Sequence, residues 1–334
     1  AYAELGATAF DVGDGDLTSS IVINSSAVNT AVVGSYLVTY DVTDSESNPA
    51  IQVVRTVDVV DTTVPVITLL GANPQVIEVG TAYSELGATA SDNYDGDISG
   101  SIVVDSSAVN TGVVGSYLVT YDVTDANSNA AVQVTRTVDV VDTTVPVITL
   151  LGANPQTIEV GTAYSELGAT ASDNYDGDIT GSVVVNSSAV NTAVVGSYLV
   201  TYDVTDSEGN PAVQVTRTVN VVDTTVPVIT LLGANPQTIE VGVAYSELGA
   251  TALDNYDGDI SGSIVVNSSA VNTTVVGSYL VTYDVTDSEG NPAVQVVRTV
   301  DVVDTTIPVI TLLGANPQVI EVGTAYSELG ATAS

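Results

Sequence analysis

The 334-residue chain has no cysteine, lysine, histidine, methionine or tryptophan, and only one phenylalanine. Without cysteine there are no disulfides, no thiolate metal sites and no cysteine nucleophile. Without lysine there are no lysine–asparagine isopeptide cross-links. With both histidine and cysteine missing, zinc, copper and nickel lose their usual ligands. Basic residues are nearly absent as well: four arginines face 40 acidic residues, for a formal net charge of −36. Such a chain cannot neutralise phosphate, which excludes nucleic acid and anionic membrane surfaces as partners. No apolar run reaches the ~20 residues of a membrane helix, so no membrane insertion is predicted. No stretch reads as a signal peptide.

What is present is apolar, β-branched and periodic. Hydrophobic residues make up 45% of the chain, too many for a disordered acidic tail. The bias towards Val, Thr and Ile predicts an all-β fold. The phrase Asp-Thr-Thr-Val-Pro-Val-Ile-Thr-Leu-Leu-Gly-Ala-Asn-Pro-Gln begins at Asp61, Asp142 and Asp223, and returns at Asp304 with Ile307 in place of Val. A fixed spacing of 81 residues identifies an array of equivalent units. The expected organisation is a domain at 1–60 lacking its first strands, repeats at 61–141, 142–222 and 223–303, and the N-terminal strands of a further repeat at 304–334. A feature copied into every unit points to a structural element or a multivalent contact, not to a single active site. No enzymatic activity is predicted.

Residues 61–141 serve as the type unit. Asp61 to Pro65 is the linker, with Pro65 holding the residue before it extended. Six of the strands are predicted at 66–70, 75–79, 83–91, 101–105, 116–125 and 131–141, and about seven short strands in 81 residues mark an immunoglobulin-like sandwich. In the strand at 116–125, Tyr117, Val119, Tyr121 and Val123 share one face. In the last strand Val132, Val134, Val138 and Val140 share a face, and parity puts Arg136 among them. Two readings stand for that arginine: a bulge or edge position that lets it reach water, or a partly buried side chain clamped to a carboxylate such as Asp122.

Strand direction brings acidic residues together. If the last strand runs towards the next linker, the turn after Asp125 and the loop Asp92-Asn93-Tyr94-Asp95-Gly96-Asp97 both lie at the N-terminal pole. Asp61, Asp92, Asp95, Asp97 and Asp125 should therefore converge there. The same positions recur as Asp142, Asp173, Asp176, Asp178 and Asp206, and as Asp223, Asp254, Asp257, Asp259 and Asp287; the first unit has Asp11, Asp14, Asp16 and Asp44. Two carboxylates ~4 Å apart repel by about 4 kcal/mol at an effective dielectric near 20. A hard cation relieves this, and calcium accepts six to eight oxygens in flexible geometry, with Gly96 permitting the tight turn. The loop is not an EF-hand, because the spacing is wrong and no glutamate closes it. A merely solvated acidic pole is the alternative. Glu78 and Glu85 lie towards the opposite pole and are lesser candidates across the next junction. In the first unit Gly13 replaces the loop tyrosine while all three acidic positions remain, which singles out the carboxylates rather than Tyr94, Tyr175 and Tyr256 as the metal-binding part.

The string Glu-Leu-Gly-Ala-Thr-Ala, then Asp-Gly-Asp-Ile, then Val-Gly-Ser-Tyr-Leu-Val-Thr-Tyr-Asp-Val-Thr-Asp-Ser-Glu-Gly-Asn-Pro-Ala and Arg-Thr-Val resembles the bacterial immunoglobulin-like repeats of large extracellular adhesins and surface filaments. Similar modules are appended to secreted hydrolases and to some pesticidal crystal proteins. The resemblance covers essentially the whole chain. It implies sandwiches stacked end to end as an extracellular rod, calcium at the junctions in a cadherin-like arrangement, and no catalytic residue. The leading expectation is a structural stalk or filament segment of a bacterial or archaeal surface adhesin or appendage. Its partners would be calcium, neighbouring repeats of the same or identical chains, and surface glycans or other cells contacted through regions outside this chain. The alternative is a carbohydrate-binding array in which the loop tyrosines stack on a glycan. A carboxylate-pair glycosidase fits the residue types but not their repetition in every unit. The out-of-phase ends fit either an excerpt of a longer polypeptide or head-to-tail assembly in which residues 304–324 supply strands to the next subunit.

Overall fold

A computed structural model describes all 334 residues. It divides into two compact units, one formed by residues 1–144 with 174–177 and 207–210, the other by the remainder. Within the first unit, residues 61–141 form seven strands: β1 Val66–Leu69, β2 Gln75–Glu78, β3 Ala88–Asp92, β4 Gly96–Asp97, β5 Val103–Asp105, β6 Gly115–Asp122 and β7 Val134–Val141. They make a three-stranded sheet, ordered β1-β3-β4, and a four-stranded sheet, ordered β5-β6-β7-β2. All pairings are antiparallel except β7 with β2, which run parallel from Val138 opposite Gln75 to Val141 opposite Glu78. Ile67 and Ala90 from the small sheet meet Val119, Tyr121, Val138 and Val140 from the large one. This two-layer packing is the immunoglobulin-like sandwich. The same strand sequence recurs from Val147 to Val222 and from Val228 to Val303.

Alternation builds β6 as expected. Val119 and Tyr121 are fully buried, while Leu118, just before them, faces solvent. Elsewhere local turn chemistry overrides the pattern. The strand predicted from residue 83 begins only at Ala88, because Gly87 takes a φ of +82° and donates its N–H to Glu85 Oε1 at 2.7 Å. Residues 83–87 instead fold around that carboxylate. The last strand begins at Val134, so Val132 is exposed rather than part of the inward face. β6 ends at Asp122, short of the predicted 125, and an isolated bridge between Thr124 and Ala130 carries the chain into the turn.

Arg136 lies inside the sandwich, with its side chain fully buried. Asp122 is not its partner, since that carboxylate accepts from Gln133 Nε2 on the outer face. The guanidinium donates to the carbonyls of Leu70 and Gly87, lies 3.8 Å from Glu85 Oε1, and sits 5.7 Å from the Tyr121 ring centroid. Glu85 Oε1 also accepts from the Tyr121 hydroxyl at 2.5 Å. Burial raises the Glu85 carboxyl, but the Tyr121 and Tyr83 hydroxyls, the Gly87 N–H and Arg136 together hold it below its ordinary value. The single cation of the repeat thus fastens both sheets from within.

Residues 1–60 carry strands at Phe10–Asp11, Gly15–Asp16, Val22–Asn24, Gly34–Asp41 and Val53–Val59. A groove of about 450 Å³ is lined by Ala9, Leu17, Tyr40, Val42 and Val53. In the second unit, Ile310–Leu312 and Ala331–Ala333 pair antiparallel, as β1 and β3 do.

Candidate metal centre

Each acidic residue at the pole is aimed by its own turn. Asp92 ends β3, and its Oδ1 accepts the N–H groups of Tyr94 at 2.7 Å and Asp95 at 3.1 Å. Gly96, with a φ of +73°, completes the reversal. After β6, Asp125 Oδ1 accepts from the N–H groups of Asn127 and Asn129, and its Oδ2 accepts from Asn129 Nδ2. The same amide reaches the Asp61 carbonyl at 3.2 Å, tying the turn to the linker. Asp61 Oδ1 accepts the N–H of Thr63.

One carboxylate oxygen from each of Asp61, Asp92, Asp95 and Asp125 lies within 4.8 Å of the other three. Asp92 is 9% and Asp125 7% exposed, while Asp61 and Asp95 are half-buried. Two of its oxygens, Asp61 Oδ2 and Asp92 Oδ2, are buried with no hydrogen-bond donor. Buried polar atoms are normally paired, and leaving one unpaired costs about 1–3 kcal/mol. An all-oxygen, carboxylate-rich set of this kind fits a hard cation and not a transition metal.

Asp97 does not join the group. Its Oδ1 accepts from the hydroxyl of Ser99 at 2.5 Å and the N–H of Ser99 at 3.0 Å, at the entry to the 3₁₀ turn Ser99–Ser101, and the Ser99 hydroxyl holds its carboxyl below the ordinary value. Asp16, Asp178 and Asp259 do the same for Thr18, Thr180 and Ser261. The predicted five carboxylates are therefore four.

In the second unit Asp223, Asp254 and Asp287 meet in the same way, and burial pushes the Asp223 carboxyl up. Asp257 lies instead with Asp287 and Glu289. In the first repeat Asp14, Asp44 and Glu46 are grouped, while Asp11 Oδ1 accepts from the N–H groups of Gly13 and Asp14. Asp142 is buried at the start of its linker, Asp173 ends the strand Ala169–Asp173, Asp176 accepts the Ser207 N–H at 2.7 Å, and Asp206 is buried beyond the strand Gly196–Asp203.

Of the two lesser candidates, Glu78 reaches the next linker and Glu85 does not. Glu78 accepts from the N–H and hydroxyl of Thr143 and from the Thr144 hydroxyl, and the Thr143 N–H leads in lowering its carboxyl to about 2. Glu159 grips Thr224 and Thr225 in the same manner. Residue patterns did not reveal a role for the loop tyrosines. The Tyr94 hydroxyl accepts the N–H of Val33 at 3.2 Å, the Tyr256 hydroxyl that of Val195 at 3.4 Å, and Tyr175 packs against the apolar cluster of the 61–141 repeat. The available signal was the phase of the tyrosine, always after the loop asparagine and absent only from the first unit.

Tandem sandwiches whose linkers and loops gather aspartates define an immunoglobulin-like repeat array. This chain belongs to the bacterial surface protein Ig-like domain family, whose model matches residues 1–59, 67–140, 148–221 and 229–302. The family places these repeats outside the cell or on its surface. The chain is 30% identical over 331 residues to the pesticidal crystal protein Cry22Aa of Bacillus thuringiensis, covering 92% of this chain and 42% of that protein. It is 35% identical over 340 residues to hyalin of Lytechinus variegatus, covering 90% of this chain and 59% of hyalin. It thus spans roughly half the length of these curated relatives. Among solved structures, Drosophila N-cadherin EC1-4 aligns over 83% of this chain and 86% of its own, at 12% identity and a TM-score of 0.27.

Proposed function

We propose that this chain is a length of extracellular stalk or filament from a surface protein, stiffened where one repeat meets the next by calcium bound to linker and loop carboxylates. The observation that carries this reading is the pair of buried oxygens, Asp61 Oδ2 and Asp92 Oδ2, that face other carboxylates without a donor. Asp61, Asp92, Asp95 and Asp125 would hold the ion, which would supply positive charge and replace water as partner to those oxygens. Calcium suits the site better than magnesium because the set is large, carboxylate-rich and carried on loops. Because Asp61 lies in the linker and the other three in the following sandwich, the ion would fix the angle at which the chain enters that sandwich. The hydroxyls of Tyr94 and Tyr256 are engaged by backbone N–H groups, which argues against the loop tyrosines as a glycan platform.

The test is to compare the chain in millimolar calcium with the chain in chelator. Binding is expected at about 10⁻⁴–10⁻³ M, in the range of extracellular modules. At calcium ten times the Kd, each occupied site adds about 1.4 kcal/mol to the stability of its repeat. The melting temperature should rise and small-angle scattering should report a stiffer chain. Identical melting and scattering with and without calcium would refute the proposal.

A further inference from the structure

The acidic centres at Asp61 and at Asp223 are copies of one design, yet they gather different carboxylates. At the first, Asp95 is one of four aspartates in mutual reach. At the second, its counterpart Asp257 has left the group of Asp223, Asp254 and Asp287, and lies instead with Asp287 and Glu289. The loops that carry Asp95 and Asp257 share the sequence Asp-Asn-Tyr-Asp-Gly-Asp. The difference lies across the pole, in the turn that follows the long strand.

That turn reads Asp125-Ala126-Asn127 at the first centre and Asp287-Ser288-Glu289 at the second. Ser288 takes both oxygens of Asp257: its N–H donates to Oδ2 and its hydroxyl to Oδ1, each at 2.7 Å. The hydroxyl also contacts Glu289, so the serine draws Asp257 towards the glutamate side. Ser45 holds Asp14 in the same two-point grip, and Asp14 lies with Asp44 and Glu46. Ala126 has a backbone N–H for Asp95 Oδ2, at 2.9 Å, and no hydroxyl for the other oxygen. Asp95 then contributes to the centre. The neighbouring Asn127 Oδ1 is another buried oxygen without a hydrogen bond, at the position where the other turns carry glutamate.

We infer that the residue after the turn aspartate sets how many carboxylates a centre offers to a cation, so that alanine at position 126 makes the Asp61 centre the high-affinity site of the chain and serine at 288 makes the Asp223 centre a weaker one. This rests on the calcium reading above. It also rests on Asp92, nine-tenths buried with an unpartnered oxygen in the four-carboxylate group. Calcium affinity follows ligand charge, and one more carboxylate beside a divalent ion is worth roughly tenfold after screening.

Isothermal titration of the full chain with calcium tests this. The unmodified chain should show one tight site per chain and further sites roughly tenfold weaker. Ala126→Ser should abolish the tight class without changing the total number of ions bound, because Ser45, Ser207 and Ser288 show that the fold accepts serine there. Ser288→Ala should act in the opposite direction and give two tight sites per chain. Binding in a single class, or an unaltered tight class in both variants, overturns the inference and leaves the calcium reading standing. No calcium binding to the unmodified chain overturns both.

Discussion

Residues 1–60 and residues 61–141 carry nearly the same strands from the acidic loop onward, yet their single arginines have different surroundings. Arg136 is fully buried and donates to the carbonyl of Leu70, just past β1. Arg55 has no such carbonyl. Its side chain is 32% exposed, it donates to the Gly6 carbonyl, and it pairs with Glu4 at 2.9 Å, closer than the 3.8 Å between Arg136 and Glu85. Val138 and Val140 are likewise buried to within 1%, whereas Val57 and Val59 keep partial exposure. One four-residue strand thus closes the core, and it changes the arginine from an ion-pair partner near water into an internal tie between backbone carbonyls.

The largest effect that would test this contrast is Arg136→Ala. It leaves two carbonyls and a carboxylate without their cation, and should cost about 3–5 kcal/mol. Arg55→Ala should cost clearly less, because that side chain is about a third exposed and its ion pair is screened by water. Equal losses in denaturant unfolding would mean that β1 does not set the arginine's environment.

The smallest effect is one of pH. The Tyr40 hydroxyl, followed by that of Tyr2, holds the Glu4 carboxyl down at about 2, from an ordinary 4.5. A carboxyl depressed in the folded state stabilises the fold above its unfolded value and loses that contribution as pH falls towards the folded one. The first repeat should therefore weaken between about pH 4.5 and 2, and Glu4→Gln should flatten that limb of the stability profile while leaving the 61–141 repeat unchanged. An unaltered limb would show that Glu4 is not the responsible group.

Much of this was legible in the residues. The β-branched bias and the 81-residue spacing pointed to an all-β array, and strand direction alone placed Asp61, Asp92, Asp95 and Asp125 at one pole. Asp97 was misplaced because periodicity does not record the Ser99 hydroxyl, which binds its carboxylate at the entry to the 3₁₀ turn. The Arg136–Glu85 contact spans 51 residues, and parity could place the arginine inside but could not name its partner. Tyr94 was set aside as a metal-site residue because Gly13 replaces it in the first unit; the N–H it accepts from Val33, 61 residues earlier, is recorded by no local pattern.

The parallel pairing of β2 with β7 has a mechanical consequence. β2 follows β1 on the way in from the linker that enters the repeat, and β7 runs directly into the linker that leaves it. Tension applied at the two linkers pulls these strands in opposite directions along their length. The rungs from Gln75–Val138 to Glu78–Val141 are then loaded together in shear instead of opening one after another like a zip.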